Sequence, residues 1–208
     1  MSKKHLSEES KAMKQATKIF RDRGGMVRMA DAVRAGIHRN TLRAMLQAGI
    51  IERLTRGLYR LQDAPAMSEP DLMTVAERVP NGVVCLISAL AYHEMTTQIP
   101  HEVYVAISRN SEPPRVEYPP LRVFRFSGEA FSAGIRRERL DGMAVRIYDR
   151  EKTLADCFKY RNKIGMETVL EALRFYRERQ KPKVDALLRY GKICRVASVM
   201  RPYLEAII

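Results

Sequence analysis

The chain has 208 residues, 46% of them hydrophobic, enough for one large domain or two small ones with separate cores. A net charge of +13 calls for an anionic partner, nucleic acid first and an anionic membrane surface second. Cys85, Cys157 and Cys194 lie far apart in apolar runs with no CxxC pair, which excludes a disulfide framework and predicts buried thiols in a reducing cytoplasm. The start, MSKKHLSEESKAMK, has no apolar signal region, and no run approaches the ~18 apolar residues of a membrane span, so a soluble cytoplasmic protein with no membrane partner is expected. The charge is uneven. Residues 1–63 hold 14 Lys/Arg against 6 Asp/Glu, a net of +8; the other 145 residues hold 23 against 18, a net of +5.

Residues 1–10 are polar and read as a frayed end. From Lys11 to Arg23, Ala12, Ala16, Ile19 and Phe20 recur at helical spacing, and Gly24-Gly25 stops that helix. Met26-Val27-Arg28 reads as a short strand. Met29–Ala35 reads as a two-turn helix with Met29, Ala30 and Val33 turned inward, ended by Gly36. A second helix runs from Arg39 to Ala48. Its buried stripe is Leu42, Met45 and Leu46, which leaves Arg39, Asn40, Arg43 and Gln47 on the other face. These side chains are of the types that reach base edges and phosphates, Arg to guanine or phosphate, Asn and Gln to adenine. Gly49 ends the helix. Ile51–Leu54 and Leu58–Leu61 then flank Thr55-Arg56-Gly57 as a hairpin, with arginines alternating with apolar residues. Helix, tight turn, helix and a basic ribbon make the layout of a winged helix-turn-helix DNA reader. Its candidate contacts are Arg39, Asn40, Thr41, Arg43 and Gln47 on the second helix and Arg53, Arg56 and Arg60 on the wing.

Gln62–Glu69 reads as a linker, which divides the chain into a winged helix-turn-helix domain, 1–63, and an α+β domain, 64–208. Asp71–Val79 is a short helix with Leu72, Val75, Ala76 and Val79 inward. Val83–Leu86 is a strand, Ser88–Met95 a helix, and Glu102–Ile107 a strand rich in β-branched and aromatic residues. After the proline-rich SEPPRVEYPP comes a strand over Leu121–Phe126. A hairpin of Ile135–Leu140 and Met143–Tyr148 follows, turning at Asp141-Gly142. The remainder is helical. Asp149 caps a helix over Arg150–Arg161 that buries Leu154, Ala155 and Phe158. Asn162–Gly165 breaks it, and Met166–Arg179 buries Val169, Leu170, Leu173 and Tyr176. Lys183–Tyr190 and Ile193–Ile207 follow, with a kink or fresh start at Arg201-Pro202. The fold class is therefore α+β: an N-terminal winged helix-turn-helix, a mixed sheet-and-helix domain, and a helical C-terminal region.

Two stretches, GGMVRMADAVRAGIHRNTLRAMLQAGIIERLTRGLYRL and VRIYDREKTLADCFKYRNKIGMETVLEAL (Val145–Leu173), in this order resemble the AbiEi family of abortive-infection antitoxins, the transcriptional regulators of type IV toxin–antitoxin systems. The resemblance implies a winged helix that binds inverted repeats in its own promoter and represses the operon. It also implies a C-terminal domain that counters a nucleotidyltransferase-like toxin, without a stable complex between the two proteins. One departure is His38, where relatives commonly place serine or threonine as the helix cap; Asn40 or the histidine itself can substitute. The Gly-Ser and paired aspartates of adenylyl transfer are missing, so the chain is not the toxin half.

Signs of catalysis are few. His5, His38, His93 and His101 form no HExxH, no cysteine sits at ligand spacing from them, and there is no Walker or GxGxxG loop. Neither a cofactor nor a metal is therefore expected, and no catalytic residue is assigned. Asp149, Glu151 and Asp156 with Arg150 and Lys152 are the densest charged cluster, the composition a Mg²⁺ nuclease would need. Lys152 and Asp156 at i,i+4 more simply form an ion pair. A regulator is the first expectation; a nuclease positioned by a winged helix and a protein-interaction adaptor are the alternatives. Inverted repeats suit a homodimer or two monomers.

Overall fold

A computed structural model describes residues 3–55, 57–179 and 181–206. The chain divides into two compact units, Met1–Glu69 with Arg139–Met143, and Pro70–Glu138 with Ala144–Ile208. The division after Glu69 falls at the C-terminal end of the stretch read as a linker.

The first unit is built from α1 (Lys3–Arg21), β1 (Met26–Arg28), α2 (Met29–Arg34), α3 (Arg39–Gln47), β2 (Ile51–Thr55) and β3 (Leu58–Leu61). The strands form an antiparallel sheet in the order β1-β3-β2. This is a winged helix. The polar start continues α1 rather than fraying, so the helix begins well before Lys11. Gly24 and Gly25 both take positive φ, and a Cβ on Gly25 would meet that of Ala64 at 2.8 Å, so the sharp exit from α1 needs glycine there. The core joins Ala16 and Phe20 of α1 to Ala32, Ile37, Leu42, Met45, Ile51, Tyr59 and Leu61. In α2 the inward residue is Ala32, not Ala30 or Val33, which are exposed. Six residues are too few for apolar spacing to fix the helix's rotation, and the turn at Ala35–Ile37 sets it instead, with Ile37 N–H bonded to Ala32 O.

The second unit holds α4 (Pro70–Arg78), β4 (Val83–Val84), α5 (Leu86–Tyr92), β5 (Val103–Ser108), β6 (Leu121–Phe126), α6 (Glu129–Ser132) and, apart from the hairpin tip Arg139–Met143, β7 (Ile135–Leu140) and β8 (Met143–Tyr148). It continues as α7 (Arg150–Lys159), α8 (Arg161–Ile164), α9 (Met166–Arg179), α10 (Val184–Ile193) and α11 (Ala197–Glu205). Its strands form a mixed sheet in the order β6-β5-β4-β8-β7, with β4 parallel to β8, β5 parallel to β6, and β4 antiparallel to β5. The hairpin turns at Asp141-Gly142, both at positive φ, as the Asp-Gly pair predicts.

Three readings are corrected in this unit. Strand β4 stops at Val84, because Cys85 occupies the position before α5 and the chain turns there, with no side-chain cap bond. Leu170 is 42% exposed, and α9 buries Val169, Ala172, Leu173 and Tyr176 instead. The last helical region breaks at Cys194–Val196, where Arg195 has φ +60°, and Pro202 lies inside α11. As the sixth residue of that helix, Pro202 removes the bond its N–H would otherwise make to the Ser198 carbonyl. Ile207, read as part of this helix, lies outside the described residues.

Candidate nucleic-acid interface

Helix α3 is placed by its buried stripe and by its cap. Leu42 and Met45 sit in the first core, and His38 precedes the helix with its Nδ1 accepting the Asn40 N–H at 3.3 Å. At 100° per residue, Arg39, Arg43, Gln47 and Asn40 fall within about a quarter-turn of one another on the opposite side. All four are exposed. Thr41 points about 100° further round, towards Met45, and is half-buried. It is therefore the weakest of the helical candidates. Neither Arg39 nor Arg43 has an ion-pair partner among the described residues.

The wing separates its arginines. Glu52 and Arg60 stand opposite each other across β2 and β3, and Arg60 Nη1 lies 2.9 Å from Glu52 Oε1. The same guanidinium donates to the carbonyls of Ala64, at 2.8 Å, and Pro65. With a side chain only 14% exposed, Arg60 fastens the chain leaving the wing and is not presented for a phosphate. This departs from its place among the expected contacts, and the cause is cross-strand pairing, which alternation alone does not reveal. Arg53 is exposed, and Arg56 lies outside the described residues.

Gly57, at φ +83°, turns the wing, and its carbonyl accepts the Met29 N–H at 2.7 Å, which ties the wing to the start of α2. Arg28 stands opposite Leu58 beside that turn and is exposed. Sequence reasoning passed over Arg28, because a three-residue strand shows too little alternation to orient a side chain. Arg34 is also exposed, 3.5 Å from Asp31.

The charged motif of the second unit has a different fate. Asp149 Oδ1 accepts the Lys152 N–H at 2.8 Å, capping α7, and its Oδ2 accepts Tyr190 O–H at 2.7 Å. Glu151 Oε1 accepts Tyr176 O–H at 2.9 Å, with Lys183 Nζ 3.6 Å away. Lys152 Nζ lies 2.6 Å from Asp156 Oδ2 and 4.1 Å from the centre of the Tyr148 ring. Cys194 Sγ donates to Asp156 Oδ1 at 3.2 Å. The three carboxylates thus face three different sets of partners and do not converge on a shared ion. Among the described residues no group of three or more His, Cys, Asp or Glu side chains could hold a metal. Burial pushes the Asp156 carboxyl above its ordinary value, which Lys152 offsets only in part. Burial, followed by the charge of Asp156, pushes the Cys194 thiol up to about 12, and burial likewise raises Cys85 and Cys157. All three stay protonated and unreactive near neutrality.

A winged helix with an exposed, cation-rich second helix is the class of protein these features define. The comparisons narrow it. Residues 14–62 match the AbiEi_4 family, described as "Transcriptional regulator, AbiEi antitoxin". Over this segment the chain is similar to that family of transcriptional regulators. The crystal structure of the RV2827C protein from Mycobacterium tuberculosis is similar in fold, with a TM-score of 0.54 and 16% identity over 85% of this chain and 69% of that one. No curated protein matches the chain. Among the described residues no helix is long and apolar enough to cross a membrane.

Proposed function

We propose that the chain is a sequence-specific DNA-binding repressor that autoregulates a toxin–antitoxin operon and serves as its antitoxin. One observation carries the DNA half of this reading: α3 offers Arg39, Asn40, Arg43 and Gln47 on one exposed face, directly after a turn whose geometry rests on a cap and a glycine. The spacing between a rigid core stripe and these side chains is what reading a major groove requires. The wing, with Arg53 and Arg56, and Arg28 beside it, would lie along the phosphate backbone. The operator is proposed to be an inverted repeat in the promoter, bound by a homodimer or two monomers. The family description of residues 14–62 supports the antitoxin half. In this reading the second unit counters a nucleotidyltransferase-like toxin in the cytoplasm, acts without chemistry of its own and without a cofactor, and makes no stable complex with the toxin.

The test is a gel-shift series with DNA upstream of the chain's own reading frame. Arg43→Ala should weaken binding about tenfold and relax the preference for that DNA over a shuffled duplex. Arg56→Ala should weaken both duplexes alike and lower the salt slope by about 0.9. Neither variant differing from the parent would overturn the interface. Co-expression with the product of a neighbouring nucleotidyltransferase-like gene tests the second half, with unrelieved growth arrest the adverse result.

A further inference from the structure

The recognition helix begins on a titratable cap. His38 holds an extended backbone, φ −69° and ψ 147°, and its Nδ1 accepts the Asn40 N–H at 3.3 Å. Helix caps of this kind are ordinarily side-chain oxygens of Ser, Thr, Asp or Asn, and a hydroxyl or amide oxygen remains an acceptor across the physiological pH range. An imidazole nitrogen accepts only while it carries no proton. The bond therefore requires the tautomer with hydrogen on Nε2, and a proton on Nδ1 would turn the acceptor into a donor facing another donor. The ring is exposed, so solvent protons reach it without any unfolding.

Resting on the DNA-binding reading above, we infer that His38 is a protonation-sensitive positioning residue. A proton on its ring weakens discrimination between DNA sequences, while general attraction to phosphate does not weaken. The first turn of α3 carries Arg39 and Asn40, whose base contacts depend on strict orientation. Losing the cap frees that turn and spreads those side chains over more orientations. Phosphate attraction is less particular, and an added imidazolium strengthens it. Both consequences lower the ratio of specific to non-specific affinity. Neighbouring elements carry Lys11, Lys14, Lys18 and Arg21 on α1, Asp31 and Arg34 on α2, and Glu52 and Arg53 on β2. The two carboxylates among them are already engaged, Asp31 3.5 Å from Arg34 and Glu52 2.9 Å from Arg60.

The experiment uses the full chain at constant salt, from pH ~8 to pH ~5.5, either side of the imidazole range. Fluorescence anisotropy gives affinities for two probes, a duplex from upstream of the chain's own reading frame and the same duplex shuffled. For the wild type the affinity ratio should fall about fivefold, the size expected for losing one cap. For His38→Ser, whose hydroxyl caps at either pH, the ratio should stay level; for His38→Ala it should be low and level. A level wild-type ratio, or an equal fall in His38→Ser, overturns the inference. A wild type that does not distinguish the duplexes even at the higher pH overturns the DNA-binding reading instead. The Asn40 amide supplies a readout that needs no DNA. Its hydrogen exchange, corrected for intrinsic pH dependence, should lose protection on acidification in the wild type and not in His38→Ser. Equal behaviour of the two overturns the role given to the His38 proton.

Discussion

Helices α3 and α7 are both rich in charge, and they use it in opposite ways. In α3, Arg39, Asn40, Arg43 and Gln47 stand exposed on one side of a narrow apolar stripe. In α7 every residue from Glu151 to Phe158 is buried, and each charged group among them meets a partner inside the unit. The difference lies in what surrounds the helix. A helix covered on one side keeps its polar face for solvent or a ligand, whereas one covered on all sides must satisfy its charges internally or lose far more than it gains. Substitutions in α3 should therefore act on binding, and substitutions in α7 on folding.

The largest break in that comparison is expected at Lys152. With its side chain 0% exposed and that of Asp156 1% exposed, Lys152→Ala leaves a buried carboxylate without its ammonium. The second unit should lose about 3–5 kcal/mol, measured by denaturant unfolding. The paired change Lys152→Met with Asp156→Leu should recover most of that loss, because removing both charges also removes the need to desolvate them. A single substitution as mild as an ordinary surface change would mean the pair is hydrated and that α7 is not closed on all sides.

Arg60 sharpens the comparison, because it lies in the DNA-binding unit yet behaves like a residue of α7. Its own side chain is sheltered, although Glu52 is 43% exposed and the bond to the Pro65 carbonyl lies at the surface. Arg60→Ala should destabilise the first unit by about 1–3 kcal/mol, the range for charge-assisted hydrogen bonds. The salt slope of DNA binding should hardly change. Arg43→Ala should do the reverse, leaving the melting temperature alone and weakening binding. If Arg60→Ala lowered the salt slope by about 0.9, the guanidinium would be a phosphate contact after all.

These contrasts mark what the amino-acid order reveals. Helix α3, the wing hairpin and the Asp141-Gly142 turn are legible because periodicity and glycine placement are local signals. Asp149 as a cap and Lys152–Asp156 as a pair are legible for the same reason, being three and four residues apart on a helix. Total burial of α7 is not, since it depends on α5, α9 and α10 packing around it from distant parts of the chain. Leu170 illustrates the same limit: its spacing fits the buried stripe of α9, and only the placement of the other helices leaves it open. At the candidate interface, residue types and face come from the sequence, while the engagement of Arg60 comes from strand pairing. The cap on His38 was legible only as an alternative, because serine-like capping by a histidine depends on a ring orientation that no pattern encodes.

Acid should separate the units by a smaller and graded effect. Burial lowers the pKa of His93 below its ordinary 6.5, although its Nε2 donates to the Tyr148 carbonyl at 2.7 Å. The folded state thus prefers the neutral ring. The stability this contributes is complete above the unfolded value near 6.5 and is lost as the pH falls through the lower folded value. Glu171 adds a second step. Thr97 and Thr96 donate to its carboxylate and hold its pKa below the ordinary 4.5, so its contribution is complete above that value and disappears as the pH falls further. Glu171 is partly exposed, so water screens much of its share and the second step should be the shallower one. Melting temperature followed against pH should fall first below pH 6.5, and His93→Gln, which keeps a donor for Tyr148 and cannot titrate, should remove that step while leaving the Glu171 step. An unchanged profile in His93→Gln would place the acid sensitivity elsewhere and leave the Tyr148 bond without a role in it.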